Sequence, residues 1–163
     1  MQIIKYDKRY RDELVKLIVN FRIDLAALRS IEKKVDIKAA FEELEYYLEN
    51  QFPIYLAMDD TNKILGYIVC RLQEDIVWNE SLYVIPEDRR KGVGTALFIK
   101  TEALARTLGR ETVYNWVDPN NYRSLLFLKK LGYNVLNLIE IRKRISTDII
   151  SQKIQVGKFE FDY

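Results

Sequence analysis

Histidine is absent from the 163 residues, and cysteine occurs once, as Cys70. Without imidazole there is no Ser-His or Cys-His nucleophile pair and no zinc site that depends on histidine. A single thiol excludes internal disulfides, thiolate zinc sites and iron–sulfur clusters, so no metal is expected. Long apolar runs are missing as well: nothing approaches the ~18 residues that cross a bilayer. The first residues, MQIIKYDKRYRDE, are charged throughout and contain no apolar core of a leader. No membrane partner is expected, and the lone thiol suits a cytoplasmic location. Neither sign of charge dominates, since 26 basic against 24 acidic residues leave +2, too little for bulk nucleic-acid binding.

What is present is a chain with 48% apolar residues, enough for one ordinary core, so 1–163 is read as a single domain. Met1 to Tyr6 reads as a short strand. Leu14, Val15, Leu17, Ile18, Phe21 and Leu25 recur at helical spacing between Arg11 and Leu28. Asp36 is placed to cap a second helix carrying Ile37, Phe41, Leu44 and Leu48. Ile54–Met58, Ile64–Leu72 and Val77–Ile85 then form a meander of strands around polar turns. Val93, Leu97, Leu104 and Leu108 mark a third helix stopped by Gly109. Thr112–Val117 is a strand, Asn121–Leu131 a helix closed by Gly132, and Tyr133–Ile145 resumes strand alternation. The order predicts an α/β (α+β) fold: a mixed central sheet with helices on both faces. Parallel neighbours arise across the passages Val77–Val117 and Thr112–Ile145.

Residues 146–163 form a distinct extension. Alternation on both sides of Gly157–Lys158 predicts a hairpin with Phe159, Phe161 and Tyr163 on one face. That face is covered either by adding the hairpin to the sheet within one chain or by a second copy in a homodimer.

The most informative stretch is Leu82-Tyr-Val-Ile-Pro-Glu-Asp-Arg-Arg-Lys-Gly-Val-Gly-Thr-Ala-Leu97. A strand runs into a basic turn that opens an amphipathic helix, and the free N–H groups of such a helix start, backed by its dipole, hold anions. Gly92 and Gly94 let the backbone approach closely, and Arg89, Arg90 and Lys91 add charge that Glu87 and Asp88 partly offset. A mononucleotide P-loop is excluded for want of Gly-x-x-x-x-Gly-Lys-Ser/Thr. A dinucleotide fingerprint fails because Leu97 stands near where its third glycine belongs. Taken alone, the loop also reads as an ordinary helix start with solvated arginines.

Arg89-Arg-Lys-Gly-Val-Gly94 resembles the Arg/Gln-x-x-Gly-x-Gly/Ala motif of the GNAT superfamily of N-acetyltransferases. Leu82-Tyr-Val-x-Pro resembles that family's preceding strand, and Asn121-x-x-Ser-Leu-x-Phe-Leu-x-Lys-Leu-Gly-Tyr133 resembles its second motif. The similarity covers about 54–133. It implies acetyl-CoA as cosubstrate. The backbone from Gly92 through Val93 and Gly94 to Thr95, with Arg89, Arg90 and Lys91, would cradle the pyrophosphate. The main chain of Leu82, Tyr83 and Val84 would bind the pantetheine arm, with Asn121 and Ser124 on its other side. Asn121 also reads as a plain helix cap and Ser124 as a small packing residue.

Acetyl transfer to an amine needs a base, because an amine of pKa ~10.4 is charged at neutral pH. Glu80 is the expected base, read as in phase with Trp78, Leu82 and Val84, with a surface or ion-paired carboxylate as the alternative. The N–H of Val84 is the expected donor to the developing oxyanion. One departure stands out. Many family members carry a tyrosine where this chain has Leu128, so another tyrosine (Tyr122 or Tyr133) supplies the acid, the thiolate leaves unaided, or turnover is weakened. The last reading makes the chain an acyl-CoA-binding or regulatory module. The acceptor is an amine of open identity, and Glu42, Glu43, Glu45 and Glu49 are either a lure for a cation or a solvated helix face.

Overall fold

The computed structural model describes residues 1–150 and 152–163. Its elements are β1 (Gln2–Lys5), α1 (Arg11–Ala27), α2 (Ile37–Glu49), β2 (Ile54–Met58), β3 (Ile64–Gln73), β4 (Ile76–Val84), α3 (Val93–Thr107), β5 (Tyr114–Asn115), α4 (Tyr122–Lys130), β6 (Lys153–Val156) and β7 (Phe159–Asp162). Strands β1 to β5 lie in sequence order in one sheet, antiparallel except for the parallel pair β4–β5. Helix α3 is the connection that makes β4 and β5 parallel, as expected.

Helices cover both faces. On one, Phe21 of α1 packs edge-on to Tyr67 of β3 and Tyr83 of β4. On the other, Thr101 of α3 meets the buried Cys70 thiol of β3 at 3.3 Å. Burial pushes that thiol up to about 11, so at neutral pH it is an inert packing group. Strand β3 is buried on both faces from Ile64 to Cys70, which explains its unbroken apolar run. Gly66 sits where an added Cβ would lie 2.4 Å from the Tyr83 carbonyl oxygen, so only glycine lets β3 and β4 approach with this register. Asp36 caps α2, accepting the Ala39 N–H at 2.9 Å. The buried stripe of α2 is Ala40, Leu44 and Tyr47. Ile37 and Phe41 are turned out, and Phe41 is covered by the Arg11 guanidinium instead.

Two expectations are corrected. The strand expected over Thr112–Val117 shortens to Tyr114–Asn115, because β5 leaves β4 after Asn79. The strand expected over Tyr133–Ile145 is not formed, and with it the second parallel crossover is absent among the described residues. A strand needs a partner for its backbone groups, and a two-residue β5 presents too short an edge. Val135 is accordingly 89% exposed and Leu138 79%.

The C-terminal hairpin turns at Gly157–Lys158 as expected, but β6 and β7 pair only with each other and add no edge to the central sheet. Its base is tied elsewhere: Arg29 at the end of α1 donates to Asp118 and to the Tyr163 hydroxyl, and the Gln152 amide donates to Asn120. Asp118 is held below the usual carboxylate range, because hydrogen bonds from Tyr163, the Asn120 N–H and Arg29 outweigh its desolvation.

Candidate active site

The site lies where β4 and β5 part. Val69 pairs with Ser81 but Cys70 pairs with Asn79, so Glu80 is an extra residue in β4, a β-bulge. A bulge resets side-chain alternation. Ser81 lies beside Tyr47 and Tyr67 on the α1/α2 face, and Glu80 lies on that face too, 3.4 Å from Arg71, the cross-strand partner of Trp78. Val84 faces α3 instead, next to Gly94. Glu80 is therefore in phase with Trp78, as expected, but not with Leu82 and Val84; the bulge puts them on opposite faces.

Beyond Asn79, β4 has no neighbour on its β5 side among the described residues. The Ile85 N–H bonds back to the Leu65 carbonyl at 2.9 Å, so alternation turns the main-chain groups of Leu82 and Val84 toward the open edge and those of Tyr83 toward β3. At that edge the Val84 carbonyl accepts the Arg89 Nε–H at 2.8 Å.

The edge leads into the start of α3. A 3-10 turn over Pro86–Asp88 and left-handed backbone at Arg90 (φ 66°) and Gly92 (φ 86°) curl the chain into the helix. Gly92 caps it without a side chain, and an added Cβ there would meet nothing within 4 Å. The first intrahelical bond is Ala96 N–H to the Gly92 carbonyl, so the N–H groups of Val93, Gly94 and Thr95 have no helical acceptor. The three basic residues divide. Arg89 is turned inward to Val84 and to Asp24 of α1 (2.6 Å). Lys91 is paired with Asp88 at 2.9 Å. Arg90 is exposed and has no ion pair among the described residues. The fixed charge facing an anion is thus Arg90 and the helix dipole.

Helix α4 stands beside α3, with Phe127 edge-on to Phe98. Asn121 accepts the Ser124 N–H at 3.1 Å and caps α4; Ser124 is half-buried in its first turn. Leu128 is in the core, and its carbonyl accepts the Tyr133 N–H. Of the two tyrosines considered as acid, Tyr122 is exposed, and Tyr133 packs on Phe98 and donates to Glu102. Burial pushes Tyr133 up to about 12.

On the α1/α2 face the bulge carries a cluster that sequence reasoning missed. The Arg71 guanidinium lies 4.3 Å from the centre of the Trp116 ring and 5.4 Å from that of Trp78. The Trp78 ring also lies tilted against Trp116, with centroids 4.7 Å apart, and against Tyr114 at 5.2 Å. Nε and Nη2 of Arg71, the Trp78 indole N–H and Oε2 of Glu80 are buried without a hydrogen-bond partner. The only sequence signal was two-residue spacing, 114 with 116 and 69 with 71, which shows a shared face but not which strands meet.

The arrangement combines an uncapped helix start for an anion, an open strand edge for an amide-bearing arm, and a carboxylate at the bulge. No group of three or more metal-ligating side chains occurs among the described residues, and none of their helices is long and apolar enough to cross a membrane.

Comparison with known proteins agrees with this geometry. Residues 23–133 match the family model for the acetyltransferase (GNAT) family. An uncharacterised N-acetyltransferase of Methanocaldococcus jannaschii is 25% identical over 93 residues, 53% of this chain and 41% of that protein. The uncharacterised protein YxbD of Bacillus subtilis is 29% identical over 99 residues, 58% of this chain and 61% of that protein. The match thus spans about half the length of these curated relatives. The fold is shared with the aminoglycoside N-acetyltransferase AAC(6')-Iy solved in complex with CoA, at TM-score 0.62 and 19% identity, covering 88% of this chain and 100% of that one.

Proposed function

The chain belongs to the GNAT family of acetyltransferases, and from that premise we propose that it transfers an acetyl group from acetyl-CoA to a primary amine. The observation that carries this reading is the bulged, open edge of β4 running straight into the uncapped start of α3. The residues present fit acetyl-CoA. The N–H groups at Gly92, Val93, Gly94 and Thr95 with Arg90 take the pyrophosphate, and the free main-chain groups of Leu82 take a pantetheine amide, leaving the Val84 N–H for the thioester. Lys91, Asn121 and Ser124 border this path; Arg89 shapes it by holding the Val84 carbonyl.

Glu80, at the bulge and on the acceptor side of the sheet, takes the proton from the incoming ammonium directly or through one water. The neutral nitrogen then bonds to the thioester carbon. The Val84 N–H, on the open edge, donates to the carbonyl oxygen as it gains charge. The C–S bond breaks, the sulfur leaves as thiolate, and the nitrogen gives up its remaining extra proton to water as the amide forms. With Leu128 in place of a hydroxyl it departs unaided, which costs little for a thiol of pKa ~8.5.

The test is a thermal-shift titration with acetyl-CoA, CoA and NAD, followed by thiol release on adding amines. Ligand at about 100 times its dissociation constant adds roughly 2.7 kcal/mol, a shift of several degrees. A shift with acetyl-CoA and not NAD, then thiol release with an amine, is expected. A shift without release from any amine would instead favour the acyl-CoA-binding module that Leu128 suggests, and no shift would remove both.

A further inference from the structure

Resting on that N-acetyltransferase reading, we propose that the acceptor is a zwitterion, an amine whose own carbon bears a carboxylate, as in a free α-amino acid. Arg71 takes the carboxylate and Glu80 the amine.

Three observations carry this. First, Arg71 and Glu80 form an ion pair, Nε to Oε2 at 3.4 Å with side chains 21% and 24% exposed, yet make no hydrogen bond to each other: Nε and Nη2 of the one and Oε2 of the other have no hydrogen-bond partner. Buried donors and an acceptor that are ion-paired but not hydrogen-bonded are costly unless a ligand supplies the missing hydrogen bonds. A molecule carrying both charges on one carbon supplies it, since its two groups are about as far apart as this pair.

Second, the guanidinium is held by packing as well as by its ion pair with Glu80. Trp116 and Trp78 fix its plane, leaving its fork for a planar carboxylate, and the Trp78 indole N–H is a further unpartnered donor beside it. Trp116 is 68% exposed, so its outer face is free to stack on the side chain of the acceptor.

Third, the alternative lure for a purely cationic acceptor is already occupied. On α2, Glu43 is bound by Arg22 and Tyr47, Glu45 by Arg11 and Glu42 by Lys38. Of that run only Glu49 lacks a partner among the described residues, and Glu43 and Glu45 are hydrogen-bonded, whereas the ion pair at the bulge carries no hydrogen bond.

The experiment compares L-phenylalanine with phenethylamine, which differ only in the carboxylate, by thiol release at saturating acetyl-CoA. The ratio of their kcat/KM values is expected to exceed about 10-fold in the wild type, given one charge-assisted pair, and to collapse toward one in Arg71→Met. The wild-type ratio needs no variant, so misfolding of Arg71→Met does not blunt the test. Turnover of both amines at a ratio near one overturns the zwitterion while leaving the N-acetyltransferase standing. So does a ratio that Arg71→Met, folded and shifted by acetyl-CoA, leaves untouched. Absence of an acetyl-CoA thermal shift, with no amine used, overturns both.

Discussion

The proposed site has two halves, one for acetyl-CoA and one for the acceptor, made from different material. The cofactor half is backbone: the open edge of Leu82 and Val84, the left-handed turn at Arg90 and Gly92, and the uncapped start of α3. The acceptor half is side chains: Arg71 from β3, Trp78 and Glu80 from β4, and Trp116 beyond β5. A half built from main chain serves one ligand and tolerates side-chain change. A half built from side chains on three separate segments changes specificity with each substitution.

Variants that should treat the halves unequally test this division. The largest effect is expected in Glu80→Gln, where kcat falls by about 10²- to 10⁴-fold while the acetyl-CoA dissociation constant, read by calorimetry, stays within about twofold of wild type. Gly66→Ala should damage both halves together, because the new Cβ lies 2.4 Å from the Tyr83 carbonyl oxygen. About 3 kcal/mol is expected to be lost in urea unfolding, and a variant of unchanged stability would show that β3 and β4 can separate freely.

Cys70 lies on the α3 side of β3, the dry layer behind the acceptor cluster, and its thiol is raised from 9.0 to about 11 by desolvation. The unfolded thiol loses its proton first, so its contribution is present below pH 9 and lost as pH rises toward 11. Stability should fall by about 2–3 kcal/mol across that window, and by markedly less in Cys70→Ala. The smallest effect is expected in Arg90→Ala. That substitution removes one exposed charge from a cradle otherwise made of N–H groups, weakening acetyl-CoA by about threefold or less at physiological salt.

The same division explains what could be read from the sequence. The cofactor half is contiguous from Leu82 to Thr95, so its strand, turn and glycines announce themselves in one stretch. The caps and stops were equally local: Asp36 before α2, Gly109 and Gly132 after α3 and α4, and Gly157 in the hairpin. Arg71 and Trp116 were not legible, because their meeting depends on cross-strand register. Neither was the bulge, which reversed the phase of Glu80 relative to Leu82. Alternation over Tyr133–Ile145 misled for a related reason: it shows that a segment can pair, while pairing depends on an edge that the short β5 does not offer.

The central claim, a main-chain cradle for acetyl-CoA at the start of α3, is tested most directly by calorimetric titration of acetyl-CoA into the wild type and Gly92→Ala side by side. Gly92 has φ 86° and open space around its would-be Cβ. The substitution should therefore cost only about 1–2 kcal/mol of stability while crowding the approach of the anion. The expected result is one-to-one binding by the wild type and an affinity at least about 10-fold weaker in the folded variant. Equal affinities in the two proteins, or no heat of binding in the wild type, would contradict it.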